Sequence, residues 1–274
     1  MLADHVGVVL GYSAKMSALS YMTMRSFGRV AFPLYVFLLV NGFEHTHDRR
    51  QYLLRLFLFA IVSQIPFSLA LTAENYKLTE PFFAIGYDAD AAFLIAAAAV
   101  GLYFFLNRKN GVKLPAEFII AFLLSRATLT VGGLVILGKR LNVMYTLACC
   151  LLLLNVLELL RERKWDLLSL SAIFTTLCVC ADQLRHSDYG TSAPLLIVPL
   201  YLTRSNRWAQ AAVTALWCLY KYPPTENAWL FFGALLAVVP ICLYSGKEGR
   251  RSRLFYLVYP VHLSLLSLFP LFLR

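Results

Sequence analysis

Arg25–Arg50 reads RSFGRVAFPLYVFLLVNGFEHTHDRR, and it is apolar enough to enter a lipid bilayer. Ionisable side chains lie near both of its ends. Such groups are costly at membrane depth, so they usually face the interior of a helix bundle, a partner or a watery cavity. We therefore interpret the stretch as a membrane helix whose ends carry candidate functional groups.

The composition of the whole chain extends this interpretation. Its 274 residues are 59% hydrophobic and only 15% charged, whereas about a quarter of the residues in a soluble domain are charged. The mean hydropathy is +0.66. This balance excludes an ordinary soluble enzyme. Because apolar runs fill nearly the whole length, we predict a single integral-membrane domain over residues 1–274.

Apolar runs recur along the chain. The first, Met1–Tyr12, is too short to cross about 30 Å of hydrocarbon, which takes about 20 helical residues, so it is either a half-span or the remainder of a longer one. After Arg25–Arg50, further runs cover residues 52–72, 84–106, 114–137, 142–160, 167–183, 190–203, 207–221, 228–245 and 254–273. Some are short enough to be re-entrant or broken. The pattern predicts an all-α fold, a polytopic transmembrane helical bundle of about 10 or 11 segments.

The net charge of +10 comes from Lys and Arg residues in short loops between the apolar runs. This pattern is topological and does not indicate nucleic-acid binding. Counted over alternate loops, basic residues are more numerous on the side that holds Arg49 and Arg50. Because Lys and Arg are retained in the cytoplasm, we predict a multi-pass protein of the bacterial plasma (inner) membrane with its basic loops cytoplasmic. His45 then lies near the inside and the turn Asp182–Tyr189 outside.

Glu44, His45 and Asp48 share one face if the stretch is helical. A carboxylate beside an imidazole orients the ring and raises its basicity, as general base chemistry requires. Glu44 and His45 are therefore candidate catalytic residues, and Arg49 and Arg50 are candidate binders of a phosphorylated cofactor. The alternative is a helix end at which these polar residues leave the membrane and anchor it in the headgroups.

Asp4 and His5 form a second candidate catalytic pair within an apolar run. Adjacent residues of a helix differ by about 100° in direction, so the two side chains point to neighbouring parts of the bundle. Arg25 and Arg29 lie one helical turn apart and are further candidates for cofactor binding. The alternative for Asp4 and His5 is a buried hydrogen-bonded pair that holds helices together.

His262 lies in the last apolar run without a charged neighbour, on a helical face with Tyr259. It is either a third catalytic candidate or a hydrogen-bonded core histidine. The turn Asp182–Tyr189 gathers polar groups between two apolar runs, as a solvated loop also would. The candidate substrate-binding residues are Asn142, Asp182, Asp188, Tyr189 and Tyr259.

Asp88 and Asp90 lie near the start of another apolar run. We expect Asp88 to cap a helix that begins after it, the alternative being carboxylates two turns inside a span. Arg126, alone in its run, is a candidate counter-ion for a buried acid. The six cysteines lack a metal-binding spacing, so we interpret them as packing residues and predict no metal site.

Six blocks of this sequence resemble the TraX family of membrane acyltransferase-like proteins, which is named for a conjugation protein linked to N-terminal acetylation of pilin. The blocks are DH at Asp4–His5, GRVAFPLYVFLLVNGFEHT at Gly28–Thr46, RLFLFAIVSQIPF at Arg55–Phe67, LNVMYTLACCLLLL at Leu141–Leu154, DYG at Asp188–Gly190 and FYLVYPVHL at Phe255–Leu263. Their order and spread cover most of the chain. The region from Asp88 to Arg126 departs from the family pattern.

The resemblance implies acetyl transfer from acetyl-CoA by a membrane enzyme that modifies a surface polymer or an exported protein. It favours as functional positions Asp4, His5, Arg29, His45, Asp188 and His262. Our principal hypothesis is therefore a membrane-bound acyltransferase in which a histidine acts as general base on an amine or hydroxyl of the acceptor. The alternatives are a proton-coupled transporter that uses the same buried residues, and a non-catalytic membrane partner of an export complex.

Overall fold

A computed structural model describes residues 1–12, 16–76, 81–110, 115–163, 165–246 and 254–272. The α-helices within these ranges are α1 Leu2–Tyr12, α2 Ala18–Gly28, α3 Ala31–His45, α4 Arg49–Leu71, α5 Ala91–Asn107, α6 Ala116–Leu124, α7 Val143–Arg161, α8 Leu167–His186, α9 Pro194–Leu202, α10 Arg207–Lys221, α11 Pro224–Leu235, α12 Val238–Leu243, α13 Leu254–Leu266 and α14 Phe269–Phe272. Short 3₁₀ turns occupy Ala73–Tyr76, Arg108–Asn110 and Gly190–Ser192.

Among the described residues, five helical spans are long and apolar enough to cross a membrane. They are Ala18–His45, Arg49–Leu71, Val143–Arg161, Leu167–His186 and Pro224–Leu243. Shorter apolar helices, including α1 and α5, stand beside them. The prediction of an all-α, polytopic membrane bundle with some short segments is confirmed.

Two of the predicted runs, 84–106 and 114–137, are not single helices. The first begins with β1, Phe83–Tyr87, and the second ends with β2, Ala127–Val131, and β3, Leu134–Leu137. The three strands form an antiparallel sheet in the order β1-β2-β3. Hydropathy alone cannot separate a short apolar strand from a helix. The local signal is TLTVGGLVIL, in which Gly132 and Gly133 adopt φ angles of 60° and 69°, as a two-residue hairpin turn requires.

The helix cap predicted at Asp88 lies at Asp90 instead. α5 begins at Ala91, and the Asp90 carboxylate accepts a hydrogen bond from the backbone N–H of Phe93 at 2.9 Å. The first turn of a helix has free N–H groups that such a carboxylate satisfies. Asp88 pairs with Lys139 at 2.8 Å, and this ammonium group lowers the pKa of Asp88.

Ion pairs collect at two opposite ends of the bundle. At the end where α3 finishes, called the His45 end, Glu44 pairs with Arg204. At the other, called the Asp188 end, Asp188 pairs with Arg140. α7 joins the two ends, and its 19 residues span about 28 Å at 1.5 Å per residue. Other ion pairs are Glu158–Arg161 at the His45 end, and Asp4–Arg25, Asp4–Arg29, Asp88–Lys139, Asp90–Arg185 and Asp182–Arg126 at the Asp188 end.

The bundle between the two ends is apolar. Helices α3, α7 and α9 supply much of its core. Side chains that are fully buried there include Phe32, Val36, Leu151, Leu154, Ile197 and Leu200. Any ionisable group in this part of the protein therefore depends on a partner, because water does not solvate it.

Candidate functional site

Gly28 allows α1 to pack closely against α2. A Cβ atom at Gly28 would lie only 2.1 Å from the Cβ of Asp4. The close approach brings the Asp4 carboxylate to two guanidinium groups: Arg25 Nη1 donates to Asp4 Oδ1 at 2.7 Å, and Arg29 Nη2 lies 3.3 Å from the same oxygen. Two positive charges and one negative charge meet here, so the cluster carries excess positive charge.

His5 and His262 form a hydrogen-bonded pair, with His5 Nδ1 and His262 Nε2 2.9 Å apart. His262 Nδ1 lies 2.7 Å from the carbonyl oxygen of Val258. Because a carbonyl only accepts, this nitrogen carries the proton, and a neutral His262 presents its lone pair at Nε2. His5 Nδ1 must then donate to His262. These hydrogen bonds assign the lone pair of His5 to Nε2, which is the basic nitrogen of the pair.

The ion-pair cluster and the histidine pair form a single site, because Asp4 and His5 are neighbours on α1. The Tyr259 ring lies beside both histidines, with its centroid 6.2 Å from that of His5 and 5.4 Å from that of His262. Both histidines and Tyr259 are buried. We call this site the Asp4–His5 centre and define it as Asp4, His5, Arg25, Arg29, Tyr259 and His262.

The side chains of Tyr222 and Tyr189 interact with Arg29. Tyr222, at the end of α10, lies 5.8 Å from the guanidinium carbon. Tyr189 stacks on Phe32 of α3 with the ring centroids 3.5 Å apart and the planes 7° apart. The buried Nε of Arg29 has no hydrogen-bond partner in the part of the chain that the structure describes. Arg29 therefore retains a donor that a ligand could use.

The ends of α7 and α8 hold Asp188 beside the centre. The backbone N–H of Leu141 donates to the carbonyl oxygen of His186 at 2.8 Å, which ties the segment before α7 to the end of α8. This contact brings the Arg140 guanidinium to the Asp188 carboxylate. Asp188 is consequently fixed in position by an ion pair and not free in a loop.

An open pocket of about 520 Å³ lies at the Asp188 end. Its walls include Asp188, Tyr189, Lys221 and Glu226. Asp188 and Tyr189 also interact electrostatically with Arg29, so the pocket adjoins the Asp4–His5 centre. The structure thus brings the candidate residues Asp188 and Tyr189 together with those of the centre.

Glu44 and His45 lie at the other end of the bundle. α3 has 15 residues, so its two ends are about 22 Å apart at 1.5 Å per residue, and Arg29 lies at the opposite one. Glu44 pairs with Arg204. His45 Nδ1 lies 2.8 Å from the carbonyl oxygen of Asn41 and donates to it. The two side chains are neighbours on α3, but each has a separate partner.

The candidate cofactor-binding residues are divided between the two ends. Arg25 and Arg29 belong to the Asp4–His5 centre, whereas Arg49 and Arg50 begin α4 at the His45 end. The Arg49 guanidinium lies 4.1 Å from the ring centroid of Phe43. Arg50 borders an apolar pocket of about 270 Å³ between α4, α5, α6, α7 and α8. No described contact joins the two arginine pairs.

Asn142 and Asp182 lie in buried networks that connect helices. Asn142 caps α7 by accepting from the N–H of Met144 at 3.0 Å, and its Nδ2 donates to Gln64 Oε1 of α4 at 2.9 Å. Asp182 of α8 pairs with Arg126, and the two side chains are 0% and 2% exposed. The expectation that Arg126 is the counter-ion of a buried acid is confirmed.

Sequence reasoning did not single out Tyr222, Arg140 or Gly28. Tyr222 precedes two prolines at a helix end, and Arg140 lies two residues before Asn142, which are positions typical of any interfacial loop. Gly28 lies within a recognisable block, but its contact with α1 depends on how two helices pack. None of these positions has a local pattern that distinguishes a site residue.

Comparison with known proteins supplies the family. A sequence model described as TraX protein matches residues 1–80 and 119–269. The chain is also 27% identical over 257 residues to a protein of Dichelobacter nodosus named probable fimbrial assembly protein FimC, serogroup H1, covering 93% of this chain and 85% of the relative. No solved structure matches. The family match includes every residue of the Asp4–His5 centre, and the chain belongs to the TraX family.

Proposed function

We propose that the protein is a membrane-bound acyltransferase that moves an acetyl group from acetyl-CoA to an amine or hydroxyl of a cell-surface or exported acceptor. The buried His5–His262 pair beside Arg29 carries this proposal. Acyl transfer needs a base for the acceptor and a positive group for the oxyanion that develops on the carbonyl. Membership of the TraX family supports the choice of an acyl group.

His5 acts as the general base in this proposal. Its Nε2 takes the proton from the acceptor nitrogen or oxygen as that atom attacks the thioester carbonyl carbon. The new bond to carbon forms, the carbon–sulfur bond breaks, and the departing CoA thiolate receives the proton from the imidazolium. His262 accepts the hydrogen bond from His5 Nδ1 throughout, which orients the ring and stabilises its charged form.

Arg29 stabilises the oxyanion. Two of its features support this role: its Nε has no partner among the described residues, and Asp4 neutralises only one of the two guanidinium charges beside it. Preorganised hydrogen-bond donors in a site without bulk water stabilise a transition state far more than the same donors do in solution. Asp4 positions Arg29 by pairing with its guanidinium, and Arg25 in turn holds the Asp4 carboxylate.

The acceptor enters from the pocket that Asp188, Tyr189 and Lys221 line, because Asp188 and Tyr189 interact electrostatically with Arg29 of the centre. Arg49 and Arg50 are available for the CoA phosphates at the His45 end, which we predict from the loop charges to face the cytoplasm. Phosphate binding by arginine is a charge-assisted interaction. We therefore expect Arg49→Gln and Arg50→Gln to raise the KM for acetyl-CoA more than they lower kcat.

The test is label transfer from radioactive acetyl-CoA in membranes that contain the wild-type chain or single variants. His5→Gln, His262→Gln and Arg29→Gln should each lower transfer by about 100-fold or more, as loss of a general base or an oxyanion donor does. His47→Gln is the matched control, because His47 is an exposed histidine of the His45 end. Its activity should equal that of the wild type.

Two outcomes would contradict this assignment. Loss of label transfer in His45→Gln but not in His5→Gln would show that the general base lies at the His45 end. Failure of well-folded wild-type protein to bind or consume acetyl-CoA, across donor chain lengths and candidate acceptors, would exclude acyl transfer.

Proton-coupled transport is the second candidate, favoured by the same histidine pair and by the buried Arg126–Asp182 ion pair. Paired ionisable groups inside a membrane protein can relay protons. Solute-driven proton uptake by proteoliposomes without acetyl-CoA would support it. A non-catalytic role in an export complex predicts instead that the protein still works when His5, His45 and His262 are all replaced.

A further inference from the structure

The sheet formed by β1, β2 and β3 exposes apolar side chains along β1. Phe83, Ile85 and Tyr87 are 61%, 73% and 50% exposed. They alternate with Ala84 and Gly86, which are less exposed. Successive side chains of a strand point to opposite faces, so the three large side chains lie on one face of the sheet.

The strand register extends this face across β2. Ile85 lies opposite Leu129, whereas Gly86 lies opposite Thr128 and Ala84 opposite Thr130. One face therefore carries aromatic and aliphatic side chains, and the other carries small residues and threonines. An antiparallel sheet at the surface of a soluble protein turns its polar face to water and its apolar face to the core. Here the apolar face is the exposed one.

The sheet is attached at the Asp188 end of the bundle, beside the end of α4. Asn75, which follows α4, donates from Nδ2 to the carbonyl oxygen of Val135 at 3.2 Å and accepts from its N–H at 2.6 Å. The N–H of Gly138 donates to Ser68 Oγ of α4 at 3.1 Å. The sheet thus lies beside the end of α4, which is long and apolar enough to cross a membrane.

Charged and apolar groups border the sheet as they do at a membrane surface. Asp88 and Lys139 form an ion pair that follows β1 and β3 directly, and their side chains are 40% and 69% exposed. α6 leads into β2, and its Ile120 and Leu123 are 51% and 49% exposed. The apolar face of the sheet is therefore continuous in sequence with an exposed apolar surface of α6.

We propose that the β1–β3 sheet lies in the boundary between lipid headgroups and hydrocarbon, with Phe83, Ile85 and Tyr87 among the acyl chains. Aromatic residues favour this boundary. Within the described residues no strand pairs with the outer edge of β1, and this edge stays at headgroup level, because unpaired backbone groups are not tolerated in hydrocarbon. Arg140, three residues after β3, pairs with Asp188, so the lipid contact of the sheet sets the depth of the pocket that Asp188 lines.

The test uses nitroxide labels on the full chain in proteoliposomes, in a background whose native cysteines are replaced and whose thermal unfolding is unchanged. Ile85→Cys and Thr130→Cys form a matched pair, since both lie in the sheet but on opposite faces. Collisions with oxygen, which concentrates in lipid, are compared with collisions with a water-soluble nickel chelate. The oxygen-to-nickel ratio should be severalfold higher at position 85 than at position 130, and Phe83→Cys should behave like Ile85→Cys.

Equal ratios at positions 85 and 130, with free access of the nickel chelate to both, would overturn the proposal. Exclusion of both reagents from position 85 in native membranes, together with free nickel access in proteoliposomes, would also overturn it. That second result would indicate a protein partner on this face, such as a strand added to the edge of β1.

Discussion

At the scale of single residues, the ionisable groups of the Asp4–His5 centre are stable only as a set. Asp4 contacts Arg25 and Arg29 through one carboxylate oxygen, and its side chain is 12% exposed. A charge that is buried in this way is stabilised mainly by its oppositely charged partner, since little water solvates it. The same residues supply the excess positive charge that the proposed reaction uses, so stability and function at this site share one cause.

Asp4→Asn should therefore destabilise the folded protein by about 3 kcal/mol, because it leaves two guanidinium groups beside an uncharged amide. A lower temperature of thermal unfolding in detergent measures this effect. Asp88→Asn is the control: Asp88 also pairs with a cation, but in the open. Lys139 holds the pKa of Asp88 below its usual value. Any stabilisation of the fold by this ion pair is therefore present at neutral pH and is lost as the pH falls through the lowered pKa of Asp88.

The prediction for Asp4 is wrong if the two variants unfold at the same temperature. A double variant, Asp4→Asn with Arg25→Gln, adds a check. If loss of the ion pair causes the destabilisation, the double variant should lose less free energy of unfolding than the two single variants lose in sum.

At the scale of elements, the short helix α1 packs closely against α2, and this contact positions Asp4 beside Arg25. It has 11 residues, too few to cross a bilayer, which takes about 20. Three glycines lie in the contact between α1 and α2, namely Gly7, Gly11 and Gly28. At each of them an added Cβ would come within 3.1 Å of an atom of the other helix. Small residues of this kind allow membrane helices to approach closely.

Gly28→Ala should push α1 away from α2 and weaken the Asp4–Arg25 contact, at a cost of about 3 kcal/mol for an overpacked helix contact. Gly101→Ala is the matched control, because no atom lies within 4 Å of a Cβ built at Gly101 of α5. Thermal unfolding and label transfer are measured for both variants. A Gly28→Ala protein with wild-type stability and activity would show that α1 does not depend on this contact.

At the scale of the whole molecule, the ionisable residues are sorted between two ends that an apolar core separates. The Glu44–Arg204 and Glu158–Arg161 pairs lie at one end, and the pairs of the Asp4–His5 centre lie at the other. Within the described residues, each ion pair stays within its own end. The grouping agrees with the alternation of loops along the chain and is the arrangement expected of a protein whose two ends face different aqueous compartments.

Cysteine labelling of intact cells tests the predicted orientation. His47 and Thr191 are exposed residues that lie beyond α3 at the His45 end and after α8 at the Asp188 end. We expect Thr191→Cys to react with a membrane-impermeant maleimide added outside, and His47→Cys to react only after permeabilisation, because the richer set of basic loops is retained in the cytoplasm. Labelling of both from the same side would contradict the two-ended arrangement, and the reverse pattern would invert it.

The sequence by itself determined the membrane class, the position of most spans and the polar residues worth examining, because hydropathy and helical periodicity are local properties of a chain. It could not determine which faces meet. Glu44 and His45 are neighbours in sequence and on a helical face, yet Glu44 pairs with Arg204. His5 and His262 are 257 positions apart, and their hydrogen bond exists because α1 and α13 pack together. A continuous apolar run also concealed the hairpin at Gly132–Gly133. Only tertiary packing decides which ionisable groups share a buried space, since each must find its partner there when water is excluded.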